Sequence, residues 1–135
     1  IDKVIRMCLI HDLGECFIGD IPTFAKTDAD EAREEAELMA WVRSLPEPVS
    51  GEMEALYREM IALETPEAKL YKAMDKLEAI VQHNESDIAT WEPHEYQLNM
   101  TYADDAVAWS PVLRELREEI RNDTKAKIAA AEQQA

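Results

Sequence analysis

The chain has little glycine, few basic residues and no long apolar run, and each shortage excludes a class of protein. Only three of its 135 residues are Gly. Thr and Val are also scarce, whereas Ala, Glu, Leu, Met and Lys, which lose little rotamer freedom in helices, are abundant. A β-sandwich or β-barrel is therefore disfavoured, and we predict an all-α fold.

The shortage of basic residues bears on the possible partners. Lys and Arg together number 14 against 29 Asp and Glu, so the formal net charge is −15. Such a surface repels a phosphate backbone, and we expect no nucleic-acid polymer as a partner. No apolar run approaches the roughly 20 residues of a membrane span, so we expect no membrane partner either.

The two cysteines indicate a compartment. Cys8 and Cys16 are too few and too poorly spaced for a disulfide framework or a C-x-x-C site. The N-terminus also lacks the order of regions found in a signal peptide. We therefore expect a reducing, cytoplasmic environment.

Apolar residues make up 47% of the chain, which is enough to build one packed core. Their spacing predicts a compact bundle of about five to seven helices. Residues 123–135, rich in Ala, Lys and Gln, are predicted to form a frayed tail. The chain begins inside an apolar segment with no Met, which predicts that it is a fragment. The main predicted helices cover 1–15, 28–44, a segment opening near Ser50, 66–84 and a segment that starts at Pro111.

The first predicted helix carries apolar residues at helical spacing, at Ile1, Val4, Ile5, Cys8 and Leu9. Continuing this face by helical steps leads to His11, Asp12 and Glu15. Titratable groups on an apolar face are usually paired, hydrogen-bonded or bound to metal, because burying an unpaired carboxylate is costly. A solvated His-Asp pair at a helix end is the alternative interpretation, and the residues alone leave both open.

Another carboxylate, Asp75, lies at the border of an apolar stripe on the 66–84 helix. It is a second candidate for a carboxylate that is paired, hydrogen-bonded or bound to metal. A partly exposed Asp paired with Lys72 or Lys76 is the alternative. The stripe consists of Leu70, Met74, Leu77 and Val81.

Together these segments resemble a known family. The run IHDLGECFIGDIP at 10–22, followed by AKLYKAMDKLE at 68–78, is similar to the HD-domain metal-dependent phosphohydrolases. Within them it is most similar to the branch of bacterial 5′-deoxynucleotidases and related HD-domain-containing proteins. The resemblance extends from Ile1 to about residue 120 and implies an HD-domain helical bundle over 1–122.

The resemblance implies one divalent metal ion bound by His11, Asp12 and Asp75. It also implies a further His on an upstream helix, which this chain does not carry, so the HD domain is expected to be truncated at its N-terminus. Mixed His and carboxylate ligands suit Mn, Co, Fe, Zn, Ni or Mg. His83 and His94 are predicted to be structural, and the lack of His between Asp12 and Asp75 favours a single metal.

The family's catalytic Glu and loop Asp match Glu15 and Asp20. Glu15 is expected to orient or deprotonate the attacking water, and Asp20 to protonate the leaving ribose oxygen or bind the sugar; the division of these roles stays open. Thr23 and Lys26 are candidate substrate contacts, with an exposed Lys as the alternative for the latter. The acidic run at 31–37 is predicted to be a solvated helix face.

The implied activity is that of a phosphomonoesterase acting on a small phosphorylated substrate, a nucleoside 5′-monophosphate. An HD phosphodiesterase, an alarmone hydrolase and a non-catalytic acidic helical module are the alternatives. The aromatic region around Trp91 and Tyr96 would suit a homodimer interface.

Overall fold

The computed structural model describes residues 1–21 and 25–133. Within them the regular secondary structure is entirely helical, which confirms the predicted all-α class. Six helices have seven or more residues, as the prediction of five to seven required. The α-helices are α1 Asp2–Ile10, α2 Glu15–Ile18, α3 Asp28–Ser44, α4 Val49–Ala62, α5 Pro66–Glu85, α6 Glu95–Thr101, α7 Asp104–Val107 and α8 Pro111–Glu132, with 3₁₀ turns at His11–Gly14 and Ile88–Thr90.

Local capping determines where the long helices begin. At α3, Thr27 Oγ1 accepts from the Asp30 amide at 3.3 Å, and the Asp30 carboxylate accepts from the Thr27 amide at 3.0 Å. This reciprocal pair satisfies two amides that a helix start leaves unpaired. At α5, Thr65 Oγ1 accepts from the Ala68 amide at 3.2 Å. No helix in the described residues is both long and apolar enough to cross a lipid bilayer.

The chain divides into two compact units, which meet in sequence between Tyr71 and Lys72 within α5. Side chains from α1, α3, α4 and the first turns of α5 form the core of the first unit. Its buried residues are Val4, Met7, Leu38, Met39, Val42, Tyr57, Met60, Ala68 and Tyr71.

The predicted apolar face of the first helix is wrong at three positions, one of which is Ile1 at 86% exposed. Ile5 and Leu9 are 52% and 76% exposed, whereas Met7 is fully buried. The α-helix also ends at Ile10 rather than near 15, and a tighter 3₁₀ turn follows. A nine-residue helix buries only the narrow face that its neighbours cover, so helical spacing overestimated the core here.

The predicted stripe on α5 is also displaced. Met74 and Val81 are exposed by 39% and 38%, and the neighbouring Ala73 and Ile80 are buried instead. Leu77 is buried as predicted. The buried face of the helix is therefore rotated by about one residue from the predicted stripe.

In the second unit α8 continues to Glu132, through the segment predicted to fray. Thr124 is fully buried there, and its hydroxyl donates to Asn84 Oδ1 at 2.9 Å. This buried hydrogen bond connects the second half of α8 to α5. The domain boundary at residue 122 stays a prediction.

Candidate functional site

His11 and Asp12 lie at the point where α1 ends and the 3₁₀ turn begins. His11 Nδ1 lies 2.7 Å from the carbonyl oxygen of Cys8. Because a carbonyl oxygen can only accept, Nδ1 carries a proton, and in the neutral form of the ring Nε2 carries the lone pair. This backbone contact therefore fixes the tautomer that a metal ligand needs.

Nε2 of His11 faces Asp12, whose Oδ2 lies 3.0 Å away. A neutral imidazole nitrogen and a carboxylate oxygen both present lone pairs, so they repel at this distance unless a proton or cation lies between them. One nitrogen and one anionic oxygen are also the donor types that divalent transition metals bind. The donor set of this pair thus fits a divalent cation.

Two tyrosines lie close to His11 and the residue before it. The Tyr57 hydroxyl donates to the Ile10 carbonyl at 2.6 Å, directly before the histidine. Burial raises the pKa of Tyr57 to about 12, so this donor stays protonated at physiological pH. The Tyr71 ring lies 6.4 Å from the His11 ring, at a 59° tilt. The sequence alone gives no signal for this role of Tyr57, because its hydroxyl partner is distant in sequence.

Glu34 on α3 packs directly against the turn. A Cβ placed on Gly14 would come within 2.7 Å of both Cγ and Oε1 of Glu34. Gly14 is thus required by a close approach between the two segments. The acidic run at 31–37 was predicted to be solvated throughout, and this is wrong for Glu34, whose side chain is only 15% exposed.

Lys26 lies beside the same carboxylate. Its Nζ is 2.6 Å from Glu34 Oε2, and its side chain is 22% exposed. The hydrogen bond with Glu34 is the largest cause that raises the pKa of Lys26. Lys26 is therefore a paired, half-buried cation rather than the exposed lysine that was its alternative interpretation.

Glu15 starts α2 inside this group of charges. Burial is the main cause that raises its carboxyl pKa above the usual value, and the negative charges of Asp12, Asp20 and Glu34 add to the effect. Lys26 opposes it. The structure thus brings Glu15 together electrostatically with three other carboxylates and one lysine, an environment that favours proton binding.

Two predicted residues lie at or beyond the edge of the described structure. Asp20 is exposed and follows Gly19, whose φ of 88° is a conformation that glycine adopts readily. Thr23 lies outside the described residues. The described part of the loop ends at Ile21 and resumes at Ala25.

Asp75 lies on α5 in the second unit, one helical turn after Tyr71. Its Oδ2 is 2.7 Å from Lys72 Nζ, the ion pair that sequence reasoning held as the alternative. Among the described residues no three or more His, Cys, Asp or Glu side chains are grouped to hold a metal ion. Of the predicted ligands, the structure brings His11 and Asp12 together.

Two further histidines were predicted to be structural. His83 stacks on Trp91 with ring centroids 5.5 Å apart. Its Nδ1 also lies 3.1 Å from Asn99 Oδ1. His94 immediately precedes α6. These contacts of His83 lie within the second unit and give it a packing role there.

Comparison with known proteins identifies the family. A family model described as HD domain matches residues 1–117. The chain therefore belongs to the HD-domain family, and this confirms the resemblance inferred from the segments at 10–22 and 68–78. No solved structure matches the chain significantly.

Several curated proteins are similar to most of the chain. The 5′-deoxynucleotidase HDDC2 of Bos taurus is 31% identical over 133 residues, which cover 96% of this chain and 64% of that protein. The Homo sapiens protein of the same name is 30% identical over the same shares. That of Danio rerio is 33% identical over 98 residues, 71% of this chain and 49% of the relative. The chain thus spans less than two thirds of the length of these relatives.

Proposed function

We propose that the complete protein is a metal-dependent phosphomonoesterase that hydrolyses nucleoside 5′-monophosphates. The observation that carries this proposal is the His11–Asp12 pair, with its tautomer fixed by the Cys8 carbonyl and its two donors 3.0 Å apart. The names of the relatives supply the substrate class, since they are called 5′-deoxynucleotidases.

His11 and Asp12 are proposed to bind one divalent cation together with Asp75. HD-domain phosphohydrolases generally depend on such a cation, and Mn, Co, Fe, Zn, Ni or Mg would suit these ligands. When bound, the cation would lower the pKa of a water molecule and neutralise phosphate oxygens. For this ligation, Asp75 must leave its ion pair with Lys72, or its carboxylate must be shared between Lys72 and the metal ion.

Glu15 is the proposed group that orients or deprotonates the attacking water. Its raised pKa supports this role, because a base works best with a pKa near the working pH. Asp20 is proposed to protonate the leaving ribose oxygen or bind the sugar. Lys26 and Thr23 are proposed to contact the phosphate, with Glu34 holding the Lys26 ammonium in place through the 2.6 Å ion pair.

The test is phosphate release from a panel of ribo- and deoxyribonucleoside monophosphates with added Co or Mn. Asp75→Asn removes one proposed ligand. Asp105→Asn is its matched control, because Asp105 also pairs with an α5 lysine, Lys76, at 3.1 Å and belongs to no proposed site. The proposal requires activity that Asp75→Asn abolishes and Asp105→Asn retains.

If the protein binds metal but releases no phosphate from any substrate of the panel, a phosphodiesterase or alarmone hydrolase replaces the monoesterase as the proposed activity. If the protein neither binds metal nor releases phosphate, the non-catalytic helical module becomes the proposed function. Equal activity in the two variants would remove Asp75 from the ligand set.

We further propose that the protein acts in the cytoplasm, without a nucleic-acid polymer or membrane partner, and forms a homodimer. Cys8 and Cys16 are both thiols, which suits a reducing compartment. The Trp91 region, predicted as an interface, is tested by sedimentation. A monomer at micromolar concentration would exclude the dimer, whereas unchanged association after Tyr96→Ala would exclude the Trp91 region as its interface.

A further inference from the structure

The second unit contains an open cleft between the end of α7 and one face of α8. Its volume is about 220 Å³, and Asp104, Val107 and Ala108 line one side. One water molecule occupies about 30 Å³ of liquid, so the cleft has room for much more than a single water. None of the residues assigned to the proposed reaction lines it.

Arg117 lies at the base of the cleft and is 1% exposed. Its Nε donates to the Tyr102 carbonyl and its Nη2 to the Asn99 carbonyl, both at 2.9 Å. Nε also lies 3.1 Å from Asp104 Oδ1. Because Nε carries a single N–H, which Tyr102 and Asp104 share, these contacts use two of the five N–H groups of the guanidinium.

The remaining nitrogen, Nη1, is buried and has no hydrogen-bond partner anywhere in residues 1–21 and 25–133. A buried charged donor without an acceptor is costly, and native structures rarely tolerate one. Arg117 lines the cleft, so an acceptor that enters the cleft and displaces the atoms covering Nη1 would satisfy this donor.

A second arginine, Arg114, also lines the cleft. Arg114 lies one turn before Arg117 on α8, is exposed, and makes no ion pair within the described part of the chain. Arg121, one turn further along, is already engaged, because its Nη2 lies 2.7 Å from Asp104 Oδ1. Arg114 is therefore available to bind a ligand together with Nη1 of Arg117.

The charge of the lining favours an anion. Three arginines and two carboxylates, Asp104 and Glu118, leave one net positive charge here, in a chain of net charge −15. Guanidinium groups bind phosphate oxygens through paired hydrogen bonds. We propose that this cleft binds a small phosphorylated anion through Arg114 and Nη1 of Arg117. The ligand is inorganic phosphate or the phosphate group of a small metabolite.

This inference does not depend on the proposed function, and the experiment keeps the two apart. The full chain is first stripped of metal with a chelator, so that phosphate binding cannot report the proposed metal ligands. Inorganic phosphate and a nucleoside monophosphate are then titrated separately by isothermal calorimetry. Arg114→Ala is the test variant, since Arg114 is exposed and its loss should leave the fold intact.

Arg58→Ala is the matched control, because Arg58 is another exposed helical arginine that pairs only with Glu54 among the described residues. Loss of one charge-assisted contact should weaken phosphate binding by about tenfold in Arg114→Ala and leave Arg58→Ala unchanged. Similar affinities for the two probes would identify the free ion as sufficient; tighter nucleotide binding would identify a phosphorylated metabolite. Absence of saturable binding by both probes, or equal weakening in the two variants, would overturn the proposal.

Discussion

Nζ of Lys26 lies 2.6 Å from Oε2 of Glu34, and the same Glu34 side chain fills the space above Gly14. One carboxylate thus connects the segment before α3 with the turn that carries His11 and Asp12. The turn is held by this contact and by the Tyr57 hydrogen bond to Ile10. Both contacts can be tested by single substitutions.

Gly14→Ala should destabilise the protein, because the new Cβ would lie 2.7 Å from Cγ and Oε1 of Glu34. Overpacking of this kind costs about 1–3 kcal/mol. Denaturant unfolding measures the loss, and adding Glu34→Ala should restore part of it. Gly51→Ala is the control: its Cβ meets only the end of the Glu47 side chain, so it should be neutral or stabilise α4 by about 0.5 kcal/mol. Equal effects at the two glycines would contradict the close approach.

Tyr57→Phe should cost about 1 kcal/mol of stability, since it leaves the Ile10 carbonyl without its hydroxyl donor. It should also weaken metal binding, because Ile10 directly precedes His11. Tyr96→Phe is the matched control, as its hydroxyl makes no hydrogen bond in the described part of the second unit. Thermal unfolding of both variants measures the loss of stability, and metal titration measures the weaker metal binding. A Tyr57→Phe protein with wild-type stability would show that the 2.6 Å contact contributes nothing.

The stability of Glu15→Gln should depend on pH in a defined direction. Because the folded protein raises the pKa of Glu15 above 4.5, the native state binds this proton more tightly than the unfolded chain does. The resulting stability is present below pH 4.5 and is lost as pH rises through the raised pKa. Metal-free Glu15→Gln should therefore be more stable than wild type at pH 7, and the difference should vanish below pH 4.5.

Glu54→Gln gives the opposite sign and serves as the control. Hydrogen bonds from Arg58 and Arg43 lower the pKa of Glu54, so its stabilisation is present above pH 4.5 and is lost as pH falls through the lowered pKa. Its removal should destabilise the protein at pH 7. Unfolding midpoints of both variants between pH 4 and 7 test the signs. A Glu15→Gln protein that is less stable than wild type at pH 7 would contradict the assignment.

Helix starts were predictable from the sequence because capping is local. Thr27 and Thr65 each bond an amide three residues ahead, and Pro66 and Pro111 occupy first helical positions. The His11–Asp12 pair was likewise found from adjacent residues and from the motif that contains them. In each case the partners lie within a few residues of one another.

The contacts that were missed depend on partners far apart in the chain. Glu34 was interpreted as part of a solvated run, since nothing in that run indicates that Gly14 leaves room for it. Arg117 was not singled out from the sequence, yet it is buried, and the carbonyls of Asn99 and Tyr102 accept its hydrogen bonds. Such burial follows from how helix ends meet, which residue spacing does not encode.

The burial of Arg117 makes its partner Asp104 important. Asp104 Oδ1 lies 3.1 Å from Arg117 Nε and 2.7 Å from Arg121 Nη2. Asp104→Asn removes this countercharge, and a buried cation without its partner is strongly destabilising. Because Asp104 is itself partly exposed, the expected loss is about 2 kcal/mol rather than the full buried-pair value.

The neighbouring Asp105 supplies the comparison. It pairs with Lys76 at 3.1 Å, but its side chain is 78% exposed, so Asp105→Asn should change stability by less than about 1 kcal/mol. Chemical denaturation of the two variants, one residue apart, separates a buried charge pair from a surface one. A loss in Asp104→Asn no larger than that in Asp105→Asn would mean that the backbone carbonyls alone compensate the buried guanidinium. Removing the Asp104 carboxylate also makes the net charge of the cleft lining more positive, so the Asp104→Asn protein should bind phosphate more tightly than wild type.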